Sequence, residues 1–314
     1  METASKLPTN PLKIGTRGSP LALAQAYETR SRLISAFGLV EEAIEIVIIS
    51  TAGDRIQDKS LRDSGGKGLF TRDIEDELLA GTIDLAVHSM KDMPVLQPDG
   101  LVLDCYLPRE DVRDAFVSPN CSSLAELGKG STVGTSSLRR KAQLLHKRPD
   151  LNVVEFRGNV QTRLKKLDEG VASATFLAMA GLNRLSMAQV PASPIDADDM
   201  LPAVAQGAIG IERRANDGLM SELLEVLHDV QTGQRLAAER AFLAALDGSC
   251  QTPIAGLAEI DGTTLRLRGE ILRTDGSQAL SDDQTCAVED GAALGRAMGK
   301  ELLSRAGDGF FDWH

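Results

Sequence analysis

Two successive series of alternating strand and helix signals constrain the fold of this chain more than any other feature. Runs of branched apolar residues predict buried strands, and each run ends at a junction of polar residues or glycine. The first series has strands at 12–16, 44–50 and 83–88, with helices beginning at Ser19-Pro20 and near Thr71; the second has strands near 131 and at 151–155, with helices beginning at Ser137 and Asn159. Strands that alternate with helices predict mainly parallel sheets with right-handed crossovers. Because ligands bind at the carboxyl ends of such strands, where helix N-termini point, we expect a binding site at these junctions.

The last third of the chain carries a different pattern. After a helical run over 232–246, alternating apolar and polar residues predict three strands and a closing helix. The strands fall at 254–260, 264–272 and 278–288, and the helix falls at 291–305. Asp261-Gly262 and Asp275-Gly276 lie between the strands, and such dipeptides favour tight hairpin turns. The sequence therefore predicts a small α+β domain with an antiparallel sheet.

Length and composition predict a globular protein of ordinary type. A chain of 314 residues suggests two or three domains. Its content of 42% hydrophobic and 25% charged residues is usual for soluble proteins. Residues 1–10 contain no apolar core of a signal peptide, and no later stretch is long and apolar enough to span a membrane. We therefore expect a soluble protein that is not exported and does not enter a membrane.

The cysteines and histidines indicate neither disulfide bonds nor a metal site. The four cysteines are far apart, without a Cys-x-x-Cys pair, and the four histidines have no ligand-like spacing. Reduced thiols in a cytoplasmic protein fit this pattern best. We expect no bound metal.

Charge is distributed unevenly along the chain. The net charge is −11, which disfavours a nucleic-acid-binding protein, because such proteins usually carry a basic surface. Residues 131–165, however, hold eight basic and two acidic side chains, a local net charge of +6. A basic segment in an acidic protein favours a small anionic ligand.

Two junctions of the first series admit a functional and a structural interpretation. Arg17 follows a strand and Ser19 starts a helix, so a guanidinium and backbone N–H groups are placed to bind one carboxylate; an exposed Arg beside an ordinary helix cap is an equal alternative. Lys91 and Asp92, after the strand at 83–88, form either a general acid–base pair or an exposed ion pair. His88 fits a structural role better than a catalytic one.

The basic segment contains two similar junctions, at 133–140 and 156–164. Each combines a strand end, a hydroxyl or amide side chain at a helix start, and arginines just beyond. An Arg fork matches a carboxylate with two hydrogen bonds, so the pair of junctions favours anion binding over an exposed basic face. Cys250 lies in the loop 246–254, where a thiol is either a nucleophile or a small buried residue.

Four of these segments, in this order and spacing, resemble the porphobilinogen deaminase family. They are His-Ser-Met-Lys-Asp-Met-Pro (88–94), Gly-Thr-Ser-Ser-Leu-Arg-Arg (134–140), Phe-Arg-Gly-Asn-Val (156–160) and Gly-Ser-Cys-Gln-Thr-Pro-Ile (248–254). The resemblance runs from about Ile14 to Ile254. It implies a transferase that condenses four porphobilinogen molecules head to tail into hydroxymethylbilane, with loss of ammonia, in tetrapyrrole biosynthesis.

The resemblance also implies the architecture. Two lobes like those of type II periplasmic binding proteins would be followed by a small α+β domain, with the chain returning to the first lobe near Gln206. The expected domains are residues 8–107 with 208–227, residues 108–207, and residues 228–314. The family further implies a monomer.

By similarity, Cys250 would carry a dipyrromethane cofactor through a thioether, and Asp92 would be the catalytic group. Porphobilinogen bears acetate and propionate groups, so a growing chain presents many carboxylates. The residues implied to hold cofactor and substrate are Arg17, Ser19, Gln25, Lys67, Ser89, Lys91, Thr135, Ser136, Ser137, Arg139, Arg140, Arg157, Gly158, Asn159, Arg163, Arg184 and Gln206.

Two rival functions and two departures from the family pattern stand beside this interpretation. A non-catalytic anion-binding protein of the same two-lobed fold explains the basic junctions but gives the Cys250 loop no role. A nucleic-acid-binding protein is disfavoured by the net charge and by an aromatic content of 4%.

Two residues depart from the family pattern: Ala205 stands where the family usually has Gly, and Asp63 stands where a basic residue is expected. Residues 52–66 are polar and contain glycine, which leaves open a flap over the site.

Overall fold

The computed structural model describes residues 10–55, 71–248, 252–307 and 309–311. Its strands are β1 (Leu12–Thr16), β2 (Ile44–Ile48), β3 (Leu85–Ser89), β4 (Leu101–Tyr106), β5 (Asp114–Val117), β6 (Thr132–Gly134), β7 (Asn152–Val154), β8 (Ala174–Ala178), β9 (Ala192–Pro194), β10 (Ile209–Arg214), β11 (Ile254–Asp261), β12 (Thr264–Leu272) and β13 (Ala279–Ala287). Its helices are α1 (Pro20–Phe37), α2 (Ala52–Arg55), α3 (Arg72–Ala80), α4 (Leu138–Lys147), α5 (Val160–Asp168), α6 (Met179–Arg184), α7 (Gly218–Glu225), α8 (Val230–Ala245) and α9 (Gly291–Ala306).

The first sheet has the strand order β2-β1-β3-β10-β4. β1 pairs in parallel with β2 and β3, while β10 pairs antiparallel with β3 and β4. Among the described strands of this sheet, β10 therefore runs against the other four. Ile14 and Leu85, which are fully buried, lie in the hydrophobic core between this sheet and its helices. The carboxyl ends of β1 and β3 consequently lie side by side at one edge.

A second sheet repeats this arrangement with the order β7-β6-β8-β5-β9. β6 pairs in parallel with β7 and β8, and β5 pairs antiparallel with β8 and β9. Val133 and Phe176 fill the core on one face of the sheet, and Phe156 and Leu177 fill the core on the other. In each of these two sheets, one described strand runs antiparallel to the other four, so both sheets are mixed. The other four strands share one direction, as predicted for mainly parallel sheets.

The third sheet is antiparallel, with the order β11-β12-β13. Gly262 and Gly276 adopt positive φ values of 58° and 75° in its turns, which glycine does at little steric cost. α9 packs closely on α8, since a Cβ on Gly295 would meet the carbonyl oxygen of Ala238 at 2.2 Å. The predicted small α+β domain, and with it the predicted fold class, is confirmed.

The chain forms two compact units, one of residues 1–109 with 208–233 and one of residues 110–207 with 234–314. The first unit contains the first sheet, and the second contains the other two. The predicted boundaries of three domains remain a prediction. Within the described ranges, no helix is both long and apolar enough to cross a membrane.

Candidate active site

The end of β1 turns into α1 through a built helix cap. Ser19 is the N-cap, and its side chain accepts a hydrogen bond from the backbone N–H of Ala22 at 3.3 Å, while Pro20 begins the helix. Thr16 Oγ1 donates to the carbonyl of Ala22 at 3.2 Å. Arg17 is half-buried in this turn, and Gln25 is buried on α1. The cap predicted from the sequence is confirmed.

The predicted catalytic segment follows β3 as one tight turn, Met90–Asp92. Met90 and Met93 are 1% and 4% exposed, whereas Lys91 and Asp92 between them are half-buried. The N–H of Met90 donates to the carbonyl of Ala208 at 3.0 Å, and the N–H of Met93 donates back to Met90 at 3.2 Å. The two methionines therefore anchor the turn and fix the backbone that presents Lys91 and Asp92.

A glycine on the neighbouring strand makes room for this anchor. A Cβ on Gly210 would meet Met90 Sδ at 2.2 Å. Ser89 lies opposite Ile209 at the end of the β3–β10 pair. His88, two residues before Met90, forms a buried hydrogen-bonded pair with Glu212 on β10, with 3.1 Å between Nε2 and Oε2. This contact gives His88 a structural role, as the sequence indicates.

The two basic junctions of the second unit lie next to each other. The backbone N–H of Thr135, after β6, donates to Val154 at 3.0 Å, and the N–H of Phe156, after β7, donates to Ser136 Oγ at 2.9 Å. A Cβ on Gly134 would lie 2.4 Å from the ring of Phe156, so only glycine allows this approach. The parallel pairing of β6 with β7 thus joins the two loops at the carboxyl edge of the sheet, the edge at which the sequence predicts the polar junctions.

Each of these loops opens a helix with a capping side chain. Ser137 accepts from the N–H of Arg140 at the start of α4, and Asn159 accepts from the N–H of Thr162 at the start of α5. Arg163 donates from Nε to the carbonyl of Gly158 at 2.9 Å, and Gly158 has a φ of 119°. Two helix N-termini, each with a positive partial charge, therefore open beside arginine side chains.

Arg157, Arg163 and Arg184 are each half-buried. Arg184 ends α6 and donates from Nη2 to the carbonyl of Gly207 at 3.1 Å. Half-buried guanidiniums keep their charge and combine it with a restricted conformation, which suits the binding of carboxylates.

Arg139 and Arg140 differ from these three, since each residue is only 4% exposed. Arg139 Nη1 donates to Asp114 at 2.6 Å, and Arg140 donates from Nη2 to the other oxygen of the same carboxylate at 2.7 Å. Gln206 Nε2 donates to Asp114 as well, at 2.9 Å. The described contacts of these three residues are therefore with an internal carboxylate and with backbone carbonyls, and their expected role toward substrate acids remains a prediction.

Asp114 is the carboxyl group that binds Arg139, Arg140 and Gln206, and this environment shifts its pKa. Burial would raise its pKa, but the guanidiniums of Arg139 and Arg140 outweigh burial and hold the pKa well below the ordinary range for aspartate. Asp114 was not predicted from the sequence. The sequence does contain a signal for it: an acidic residue begins the otherwise apolar strand Asp-Ala-Phe-Val. A buried carboxylate at such a position needs a positively charged or hydrogen-bonding partner.

Other buried acidic residues were missed too. Glu239 on α8 is fully buried and accepts from the N–H groups of Ala205 and Ala258 at 2.7 and 2.8 Å. Glu75 on α3 is buried near Glu212; burial and this neighbour raise its pKa. An acidic residue on the apolar face of a helix was the available signal in both cases.

Some predicted residues lie outside the described part of the chain. These are Cys250, Lys67 and Asp63, together with residues 56–66 of the proposed flap. Cys105 is buried, which raises its pKa to about 12, so its thiol stays protonated and is not a nucleophile. Among the described residues, no group of three His, Cys, Asp or Glu side chains is arranged to hold a metal ion.

Comparison with known proteins decides the family. A family model described as porphobilinogen deaminase, dipyromethane cofactor binding domain, matches residues 12–222, and one for the C-terminal domain of the same enzyme matches residues 234–304. The chain belongs to the porphobilinogen deaminase family. A porphobilinogen deaminase of Paracoccus denitrificans is 63% identical over 98% of both chains. A chloroplastic porphobilinogen deaminase of Pisum sativum is 55% identical over 96% of this chain and 83% of its own.

Membership of the porphobilinogen deaminase family confirms the predicted enzyme class, a transferase of tetrapyrrole biosynthesis that uses porphobilinogen and a dipyrromethane cofactor. It removes the two rival functions, a non-catalytic anion-binding protein and a nucleic-acid-binding protein. Solved structures also resemble the chain. A periplasmic substrate-binding protein from Coxiella burnetii has a TM-score of 0.43 at 13% identity, covering 70% of this chain and 93% of its own. The methionine-binding protein MetQ has a TM-score of 0.44 at 16% identity, covering 72% and 90%.

Proposed function

We propose that this chain extends a dipyrromethane bound to Cys250 by four porphobilinogen units, with the residues at its strand ends as the site. The observation that carries the proposal is the junction of the loops after β6 and β7, where Ser136 accepts from the backbone N–H of Phe156. This contact places two helix N-termini and their arginines side by side. Each pyrrole unit of the growing chain carries an acetate and a propionate group. Fixed cations and backbone N–H groups are complementary to these carboxylates.

The donor set of the described residues fits the dipyrromethane. The group carries only carboxylates and pyrrole N–H groups as polar features, and the half-buried guanidiniums of Arg157, Arg163 and Arg184 match those carboxylates in charge and geometry. When bound, the dipyrromethane supplies the pyrrole carbon to which the first new unit is joined. Ser137 and Asn159, as N-caps, each accept one backbone N–H and so fix the starts of α4 and α5, where the helix dipoles place positive partial charge.

Asp92 is the catalytic residue of this proposal. Ammonia leaves porphobilinogen only when its amine is protonated, and the departure leaves a cation spread over the pyrrole ring. A carboxylate near the pyrrole N–H stabilises that cation and accepts or returns protons at the reacting atoms. The buried anchors Met90 and Met93 keep the Asp92 backbone fixed, so the carboxylate need not reorganise as charge develops.

The attachment of the cofactor is tested by intact mass under denaturing conditions. We expect the wild type to exceed its polypeptide mass by two linked pyrrole units, and Cys250→Ser to show the bare mass. Cys121→Ser, a change at a partly exposed cysteine, serves as the control and should keep the added mass. A wild type that stays bare after incubation with porphobilinogen would refute attachment.

The role of Asp92 is tested by turnover of the holoenzyme. Asp92→Asn removes the charge at nearly constant shape, and we expect kcat to fall by about 10²–10⁴-fold, the range for loss of an acid–base group. Asp92→Glu keeps the charge and should fall less. Asp99→Asn, an exposed aspartate on the loop that follows, is the matched control and should turn over normally. Near-normal turnover by Asp92→Asn excludes this role.

The domain boundaries, the cytoplasmic location and the monomeric state belong to the same proposal. A division into residues 8–107 with 208–227, 108–207, and 228–314 is supported by the separate sheets of each part. Light scattering on the purified protein should give the mass of one chain, 33.5 kDa. A mass twice as large would exclude the monomer.

A further inference from the structure

The carboxylate of Asp114 collects three side chains that the family resemblance places in the binding site. Asp114 is fully buried at the start of β5. Its Oδ2 accepts from Arg139 Nη1, and its Oδ1 accepts from Arg140 Nε and Nη2 at 3.2 and 2.7 Å and from Gln206 Nε2 at 2.9 Å. One acidic group therefore satisfies donors from two separate parts of the second unit.

The two arginines are further fixed by backbone carbonyls. Arg140 Nη1 donates to Phe176, in the middle of β8, at 2.9 Å, and Arg139 Nη1 donates to Leu201 at 3.0 Å. Both arginines belong to the first turn of α4, directly after the cap Ser137. Their attachment to Asp114 and to β8 therefore fixes the position of the helix N-terminus relative to the sheet.

Gln206 brings a second segment to the same carboxylate. Besides Asp114, its amide donates to the carbonyl of Val112 at 2.8 Å. The preceding residue, Ala205, donates its N–H to the buried carboxylate of Glu239, which also accepts from Ala258 on β11. Glu239 thus fixes the backbone at Ala205, while Val112 and Asp114 fix the side-chain amide of Gln206 in one orientation.

The negative charge of Asp114 is what allows the two arginines to be buried together. Two guanidiniums and one carboxylate leave a net positive charge in a buried place, and Nε of Arg139 has no hydrogen-bond partner among the described residues. Without Asp114, the two buried cations would lose the carboxylate that pairs with both of them. The carboxylate is therefore the group that allows both arginines to be held at the start of α4.

We propose that Asp114 is a positioning residue for porphobilinogen binding: it does not touch the substrate, but through Arg139, Arg140 and Gln206 it fixes the N-terminus of α4 in the orientation that receives the carboxylates. The inference rests on the proposed function of these residues. It adds a residue with no motif of its own to the binding machinery.

The test uses the holoenzyme of Asp114→Asn, with kinetics normalised to the fraction that carries the covalent primer by intact mass. Asn keeps the shape and one acceptor oxygen but removes the charge that pairs the two arginines. We expect KM for porphobilinogen to rise about tenfold or more, with kcat changed less, because small displacements of binding groups cost this much or more. A purely structural role would lower the amount of active enzyme and leave KM unchanged.

Asp111→Asn is the matched control. Asp111 lies three residues earlier and also pairs with an arginine, Arg113, but this pair is partly exposed and holds no predicted site residue. It should leave KM and kcat at wild-type values. If Asp114→Asn fails to fold, Asp114→Glu decides, since it keeps the charge and moves the carboxylate by one methylene; KM should again rise.

A folded Asp114 variant, Asn or Glu, with a wild-type KM would overturn the proposal. That result differs from failure of the proposed function itself, which would appear as a wild-type protein that neither carries the primer nor turns over porphobilinogen. A raised KM in Asp114→Asn together with an unchanged KM in Asp111→Asn supports the positioning role.

Discussion

Ala205 has a strained backbone conformation, and the residue that follows it, Gln206, binds Asp114. It is buried and has a φ of 61°, a left-handed conformation that costs an L-amino acid about 1–2 kcal/mol. The same conformation directs its N–H to Glu239 and places Gln206 on Asp114. Ala205 stands where the family usually has Gly, and the hydrogen bond from its N–H to Glu239 holds it in this conformation.

Replacing Ala205 by glycine should relieve this strain. Ala203, two residues earlier, does not have a positive φ, so Ala203→Gly is the matched control for the flexibility that any glycine adds to the unfolded chain. We expect the free energy of unfolding of Ala205→Gly to exceed that of Ala203→Gly by about 1 kcal/mol. Chemical denaturation of both variants measures the difference, and equal values would show that Ala205 carries no strain.

At the scale of elements, the two basic junctions depend on how closely β6 and β7 approach. Sequence alone predicted both strands and the caps Ser137 and Asn159, since strand periodicity and capping chemistry are local. The hydrogen bond between Ser136 and Phe156 was not predictable, because it depends on which strands become neighbours. Gly134 is the residue that permits this contact.

Gly134→Ala should disturb the junction strongly. The added Cβ would lie 2.4 Å from the fully buried ring of Phe156, so the ring or the backbone must shift. We expect a loss of about 1–3 kcal/mol in the free energy of unfolding, the usual cost of overpacking. Gly128→Ala is the control, since its Cβ would find its nearest neighbour at 3.8 Å. Thermal unfolding compares the two, and an equal effect would contradict the close contact.

For the molecule as a whole, buried acidic groups give the stability two opposite responses to pH. The pKa of Asp114 is lowered, so its contribution is present above the ordinary aspartate pKa of about 3.9 and is lost as the pH falls. The pKa of Glu75 is raised by burial and by Glu212, so the native state favours its protonated form. Its contribution is complete below about 4.3 and is lost as the pH rises through the raised value.

Glu75→Gln should therefore stabilise the protein at neutral pH. The amide resembles the protonated acid and removes the repulsion with Glu212, so we expect a gain of roughly 1 kcal/mol at pH 7. The gain should vanish as the pH approaches 4. Asp76→Asn, at the exposed neighbouring position on α3, removes only a weaker repulsion with Glu75 and should show a smaller gain. Denaturant unfolding across this pH range measures both, and a gain that is independent of pH would contradict this account.

The amino-acid sequence determined β1–β3, β6, β7, β11–β13, the starts of the main helices and the family, because these depend on local chemistry and on the order of a few specific segments. β12, for example, spans the predicted residues 264–272. The sequence did not predict β4, β5, β8, β9 or β10. Only the tertiary structure decided that β10 and β5 run against their neighbours and that Asp114 gathers Arg139, Arg140 and Gln206. The physical reason is that a hydrophobic pattern specifies which residues are buried, whereas the partner of a buried charge is set by chain segments far apart in sequence.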